Sequence, residues 1–290
     1  MARVVSLRRQ CHATLPGGQR CSITDATTSI DRKTKLCAGM PLQRGALYCS
    51  YHAKFFVERP ITAIETTELF FLDFETTGLS IIADHIIEAA LLNSHNAAFA
   101  TTICPAKEFE NTAIHGICYE ETLQSPSFVE AFARILAFMQ SVLDTALEED
   151  DDSSSEDIPR QPMLATTRPR ALIIAHNGYK FDFPMLLSEC IRSNTELGLF
   201  ADCLYVDSLL IVRALDAEMY GGCPKLQCLM NKFAYSGCLR AHRALDDCLA
   251  LREIMLHIAN GLGLPLATLL NMFAVEMDYE ASAMQLGSML

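Results

Sequence analysis

Glu68–Gly78 reads ELFFLDFETTG. Four apolar residues, Leu69–Leu72, lead into Asp73, Phe74 and Glu75, and then polar residues and Gly78. A short apolar run closed by polar residues and a glycine has the pattern of a buried strand with its exit loop. Asp73 and Glu75 are two apart, so on a strand both side chains leave the same face. Two negative charges at the end of a buried strand are costly unless a cation sits between them. The fold therefore turns on what covers this strand, and its chemistry on which other groups reach those two carboxylates.

Working outward, His85–Leu92 (HIIEAALL) and Ala97–Pro105 (AAFATTICP) follow at hairpin spacing around the turn NSHN. The first three strands thus read as an antiparallel meander. Residues 125–147 form an amphipathic helix, with Ser125 or Ser127 as cap and Phe128, Phe132, Ile135, Leu136 and Met139 on one face. Strand ALIIAHNG (171–178), a helix through FPMLLSECIRS (183–193) and a strand-to-helix run CLYVDSLLIVRAL (203–215) come next. KLQCLMNKFA is a short helix, HRALDDCLALREIMLHIAN a longer one ended by Gly261, and the tail from Leu264 one further helix with a fraying end. Strands alternating with helices indicate an α/β sheet covered on both faces.

The chain has 290 residues, half of them hydrophobic, enough for one large domain and a small appendage. No apolar run is long enough to cross a bilayer, so no membrane partner is expected. The net charge of −12 is unevenly spread. Residues 1–59 carry +7, the remainder −19, and seven of the negatives fall in Glu148–Asp157 (EEDDDSSSED). That run, followed by Pro159, Pro162 and Pro169, reads as a disordered acidic insertion over residues 147–169. The domains expected are a basic Cys/His-rich element, 1–59, and a larger α/β domain, 66–290.

Further carboxylates stand where apolar elements end. Asp182 follows the strand ALIIAHNG, and Asp246 and Asp247 follow His242. Taken singly, each has a plainer explanation: Asp182 a helix cap, His242 a packed or capping histidine, Asp246 and Asp247 a solvated helix face. Taken together, DFETTG, HNGYKFD and HRALDD, in that order, resemble the three motifs of the DEDDh-type 3′→5′ exonucleases, the proofreading ε-subunit-like and TREX-like enzymes. The resemblance runs from Glu68 to Ile258. It takes in Ile114–Ile117 (IHGI), Val206–Leu209 (VDSL) and the Lys-Leu-x-x-Leu stretch from Lys225. It implies a ribonuclease H-like fold, a mixed five-stranded sheet with helices on both faces. It implies that Asp73, Glu75, Asp182 and Asp247 hold two Mg²⁺ or Mn²⁺ ions, the hard cations carboxylates suit, and that His242 is the general base. Thr76 and Leu79 would contact the terminal nucleotide, with His115 and Asn177 lining the site. Leu79 could equally be a core leucine, and Asn177 a turn residue before Gly178. Helical spacing alone pairs His242 with Asp246. The family pattern pairs it with Asp247, and the two agree if His242 lies before the helix.

Cys11, Cys21, Cys49 and His52 form a candidate zinc site, with Cys37 as the spare. Its +7 charge suits a nucleic-acid backbone or a protein surface equally. Of the twelve cysteines, Cys190, Cys203, Cys228 and Cys248 lie in apolar surroundings and read as small buried hydrophobes, with disulfides not expected. A nuclear or cytoplasmic location follows; the arginine-bearing, acid-poor start also weakly resembles a mitochondrial presequence.

The activity implied is release of nucleoside 5′-monophosphates from a single-stranded or frayed 3′ end, DNA ahead of RNA. One rival is an exoribonuclease of the same family. Another is a non-catalytic nucleic-acid-binding or scaffold protein, against which stands the completeness of the four carboxylates and the histidine. A homodimer is compatible with the resemblance, but no segment specifies one.

Overall fold

The computed structural model describes residues 58–59, 66–110, 112–152, 170–215, 221–233 and 242–288, with 58–59, 66–67 and 146–152 as backbone only. The five N-terminal cysteine and histidine positions lie outside the described residues, as does the acidic insertion from 153 to 169.

The strand quoted first is β2 (Thr66–Thr76), at the heart of the sheet. With β1 (Glu58–Arg59), β3 (Ile86–Asn93), β4 (Ala98–Thr102), β5 (Arg170–Ala175), β6 (Leu204–Asp207) and β7 (Val275–Met277), it makes one sheet ordered β1-β7-β6-β5-β2-β3-β4. β2 pairs antiparallel with β3 and parallel with β5, and β5 pairs parallel with β6. The sheet has seven strands, not the five expected: β7 and β1 add to β4-β3-β2-β5-β6 by antiparallel pairing. β7 comes from the tail, which is a helix α8 (Leu266–Asn271), the strand, and a helix α9 (Tyr279–Gly287), not one helix. Asp278 caps α9 by accepting the Ala281 N–H, which separates it from the strand.

All eight side chains of β3 are buried, as a central strand covered on both faces requires. Strand alternation assigns the cover. Phe70 meets Phe138 of the helix α3 (Phe128–Asp152) edge to face at 6.3 Å. Residues of the other parity, Phe71, Asp73 and Glu75, face α7 (Ala244–Leu262), whose Cys248 thiol donates to the carbonyls of Phe71 and Ala90. Phe132, Ile135 and Met139 of α3 are buried as expected, with Phe128 and Leu136 packed beside them. Ser127 is its cap, in a reciprocal arrangement with Glu130. The α3 backbone continues helical to Asp152, into the stretch expected to be disordered. α7 ends at Leu262 with Gly263 left-handed at φ 68°, two residues later than the sequence suggested.

Cys190, Cys203 and Cys248 are buried thiols, as expected. Cys228 is not: it is half-buried and disulfide-bonded to Cys223, at the start of α6 (Leu226–Lys232). A buried hydrophobic role was inferred from neighbouring leucines, but the buried positions of this helix are Leu229 and Met230. No described helix is long and apolar enough to cross a membrane.

The helix α4 (Asp182–Arg192) is tied to the loop after β2 by a buried ion pair. Glu189 Oε1 accepts from His85 Nδ1, the Ile86 N–H and Arg192 Nη2, each at 3.0 Å. Arg192 donates onward to the carbonyls of Ile82 (2.8 Å) and Asp84 (2.7 Å). Glu189→Ala strands Arg192 without its carboxylate and should cost about 3 kcal/mol of stability in urea unfolding. A loss below about 1 kcal/mol would show that this pair does not hold α4 to the sheet.

Candidate active site

β2 and β5 run parallel, so their carboxyl ends open at the same edge of the sheet, where ligand crevices of α/β folds form. Asp73 and Glu75 are at that end of β2, on one face. The register between β2 and β3 shifts after Glu75, where Thr76 pairs with Ile86. Such an irregularity re-aims the residues around it.

Asp182 arrives from β5 through a tight loop. Gly178 lies against α4, where a Cβ would come within 2.7 Å of the Phe183 ring. Asn177, at φ 65°, makes the turn, which asparagine tolerates better than most residues. Its N–H donates to Asp207 Oδ1 at 2.8 Å, so the turn role expected of it is filled. Asp182 opens α4 and is 3% exposed. Its carboxyl is drawn down by its own backbone N–H and by that of Phe74, which lies between Asp73 and Glu75.

Asp247 arrives from α7. His242 lies outside that helix, at φ 65°, two residues before its first residue Ala244. The His242 N–H donates to the Asp247 carboxylate. Donor atoms of Glu75, His242 and Asp247 all lie within 4.8 Å of one another. Asp73, Asp182 and Asp246 are outside that group; Asp73 and Asp182 adjoin it through their charges. Helical spacing fails as a guide here because His242 is not helical.

The electrostatics record the crowding. Burial, then the charges of Asp182, Asp247 and Glu75, hold Asp73 well above the usual carboxylate range. Glu75 is pushed up to about 8, by burial first and then by Asp247, Glu88 and Asp182. Asp182 also rises to about 8, through burial and the charges of Asp207 and Asp247, against the pull of its two N–H donors. Asp247 rises to about 7, by burial before all else. Oxygen donors from three chain segments, each disfavouring its own charge, suit a hard divalent cation, whose binding removes that penalty.

The proposed substrate contacts divide. Leu79 is 85% exposed, so its alternative as a core leucine is excluded. Thr76 is buried and its hydroxyl donates to the Gly78 carbonyl at 2.6 Å, holding the turn that presents Leu79. His115 is 3% exposed; its Nδ1 accepts the Ile117 N–H, and its Nε2 has no hydrogen-bond partner among the described residues. Burial lowers its pKa, and it feels the charge of His242.

Asp207 was quoted in the sequence only as part of VDSL, without a role. It is 1% exposed, caps α5 (Ser208–Ala214) through the Leu209 N–H and accepts the N–H groups of Asn177 and Tyr179. It thereby fixes the loop that delivers Asp182. An aspartate at the junction of a strand and a helix is the signal for such a cap.

No protein-family model matches the chain, and no curated protein sequence matches it. Among solved structures it is similar to E. coli exonuclease I in a zinc-bound complex with single-stranded DNA, at 16% identity and a TM-score of 0.49, over 67% of this chain and 41% of that one. It is similarly related to the same exonuclease bound to a dT13 oligonucleotide, at 16% identity and 0.48, over 68% and 42%. The chain thus spans about two fifths of the length of those exonuclease chains. At that identity and score the likeness carries no functional argument; the acidic cluster does.

That cluster sets a pH dependence. Carboxylates held near 7 and 8 when folded, against about 4 when unfolded, keep protons on the folded chain. Without metal, stability therefore falls as pH rises from about 4 to 8. Asp182→Asn should raise the melting temperature in EDTA, by more at pH 8.5 than at pH 6. Mn²⁺ should raise that of the native chain chiefly at pH 8.5, and the variant's little. Thermal melts that show Asp182→Asn destabilised in EDTA at pH 8.5 would contradict this account of the site.

Proposed function

We propose that this chain is a metal-dependent 3′→5′ exonuclease that releases nucleoside 5′-monophosphates from single-stranded nucleic-acid ends. The observation that carries the reading is the meeting of Asp73, Glu75, Asp182 and Asp247, from three separate segments, beside His242. In this reading the four carboxylates hold divalent cations, as the DEDDh resemblance implies. Bound there, such cations supply Lewis-acid charge to a phosphodiester and bring water towards hydroxide near neutral pH.

The remaining steps belong to the chain's own groups. His242 is exposed at the rim of the cluster, held through its backbone by Asp247, and takes the proton from the attacking water. Leu79 packs its apolar side chain on the terminal base, a contact indifferent to sequence because every base has an apolar face. Thr76 and Gly78 hold the turn from which Leu79 projects. The Cys11, Cys21, Cys49 and His52 set is proposed as a separate structural zinc site, for which metal analysis of the reduced full chain should find about one zinc.

The test uses the full chain with 3′- and 5′-labelled single-stranded DNA and RNA, in Mg²⁺, Mn²⁺ or EDTA. Stepwise shortening from the 3′ end is expected with either metal and not in EDTA. Asp182→Ala should abolish it, and His242→Ala should slow it about 10²–10⁴-fold. Leu79→Ala should chiefly raise KM. Shortening that survives both Asp182→Ala and His242→Ala would sink the proposal. Binding of an oligonucleotide with no cleavage in either metal would favour the non-catalytic alternative.

A further inference from the structure

Glu88 stands out as a charged residue in the middle of β3, 5% exposed, in a strand whose other residues are nearly all apolar. It sits directly opposite Glu75 in the β2–β3 register, so the two side chains share the face that α7 covers. Two carboxylates so placed repel each other, and Glu88 is one of the charges that push Glu75 up. Something must hold it there.

What holds it is the start of α7. Arg243 Nε donates to both Glu88 oxygens at 3.1 Å, and Arg243 Nη2 donates to Oε1 at 2.6 Å. The Ala244 N–H donates to Oε2 at 3.0 Å. Arg243 is the residue before the helix, and its own side chain makes no cap there. Glu88 therefore performs, from another element, the task that a serine or aspartate at that position would perform. A negative group at a helix N-terminus is favoured by the helix dipole as well.

His242 is the residue next to this anchor, and its φ of 65° is a left-handed conformation that is strained for a residue with a Cβ. Such a turn persists only where its surroundings over-determine it. Here the His242 N–H is held by Asp247 on one side, and Arg243 and the Ala244 N–H are held by Glu88 on the other. The imidazole, exposed between the two anchors, is left to be aimed by the backbone that carries it.

We infer that Glu88 and Arg243 are positioning residues for His242: their ion pair fixes the left-handed turn that aims the imidazole at the acidic cluster. This rests on the exonuclease reading for the role of His242, but not for the turn itself. A role only in stapling α7 to the sheet would lower stability and act on every function of the site alike. A role through His242 acts on the chemical step and vanishes when His242 is absent.

The experiment is a double-mutant cycle. Arg243→Ala, at the rim of the protein, and the near-isosteric Glu88→Gln should each lower kcat about 10²-fold on a 3′-labelled oligonucleotide, with KM within about twofold. Arg243→Lys, which keeps the charge but loses the fork, should recover part of the loss. In the His242→Ala background, Arg243→Ala should cost less than about twofold more. Equal losses in both backgrounds, or full activity of Arg243→Ala, would overturn the inference. Hydrogen–deuterium exchange over residues 242–248 reads the turn without activity, and Arg243→Ala should raise exchange there at least about tenfold. Unchanged protection would defeat the inference even where activity fell. A native chain that cleaves nothing in either metal would refute the exonuclease reading instead, while the exchange result would still decide whether the pair fixes the turn.

Discussion

The structure is organised around the cost of bringing four carboxylates to one end of a buried strand. Each is desolvated, and each feels neighbouring carboxylates, so every ionised form in the cluster is disfavoured. A flexible chain would relieve that repulsion by moving apart. This one is prevented from doing so, because Asp73 and Glu75 are fixed by pairing with β3, at the end of a strand whose earlier residues also pair with β5. Asp182 is fixed at the buried start of α4, and Asp247 by a helix packed across the same face. Rigid elements impose the crowding, and the favourable burial of β2, β3 and β5 outweighs its cost.

Other buried carboxylates show what ordinary compensation looks like in the same protein. Glu189 faces His85 and Arg192, Glu276 faces Arg170 at 2.6 Å, and Glu88 faces Arg243. Asp207 makes no ion pair among the described residues; it accepts three backbone N–H groups and feels the charge of Arg213, yet burial still pushes it up to about 6. Each of these charges is matched where it is needed to hold two elements together. The four carboxylates of the cluster are matched only by occasional N–H donors, and Asp73, Glu75 and Asp182 are all raised far above the usual carboxylate range in consequence. The contrast separates carboxylates that build the fold from carboxylates poised for something that is not protein, without appeal to any relative.

Much of this was legible in the sequence, for reasons that can be named. β2, β3 and β5 are continuous apolar runs, and such runs are central strands when they are short and bounded by turn residues. The acidic cluster was legible because each member sits where an apolar element ends. β7 was not, since three residues carry no period, and only pairing with β6 and β1 makes them a strand. Cys228 misled because a cysteine among leucines on a helix says nothing of which face it occupies. Glu88 was visible as a charge inside an apolar strand, and a buried charge demands a partner. That partner, Arg243, is 155 residues away, a distance no local pattern spans.

The choice between Asp246 and Asp247 shows how a spacing rule can fail usefully. In a regular helix His242 would face Asp246, and the imidazole and carboxylate would form a surface pair of little consequence. The left-handed residue breaks that geometry. It takes His242 out of the helix, turns its N–H towards Asp247 and leaves its ring exposed while Asp247 is buried against β2. The two residues then occupy the two environments their proposed tasks require: a wet rim for a group that exchanges protons with water, and a desolvated floor for a group whose charge must be worth more than it is in solution. Five residues of separation, wrong for a helix, are right for a turn that feeds one.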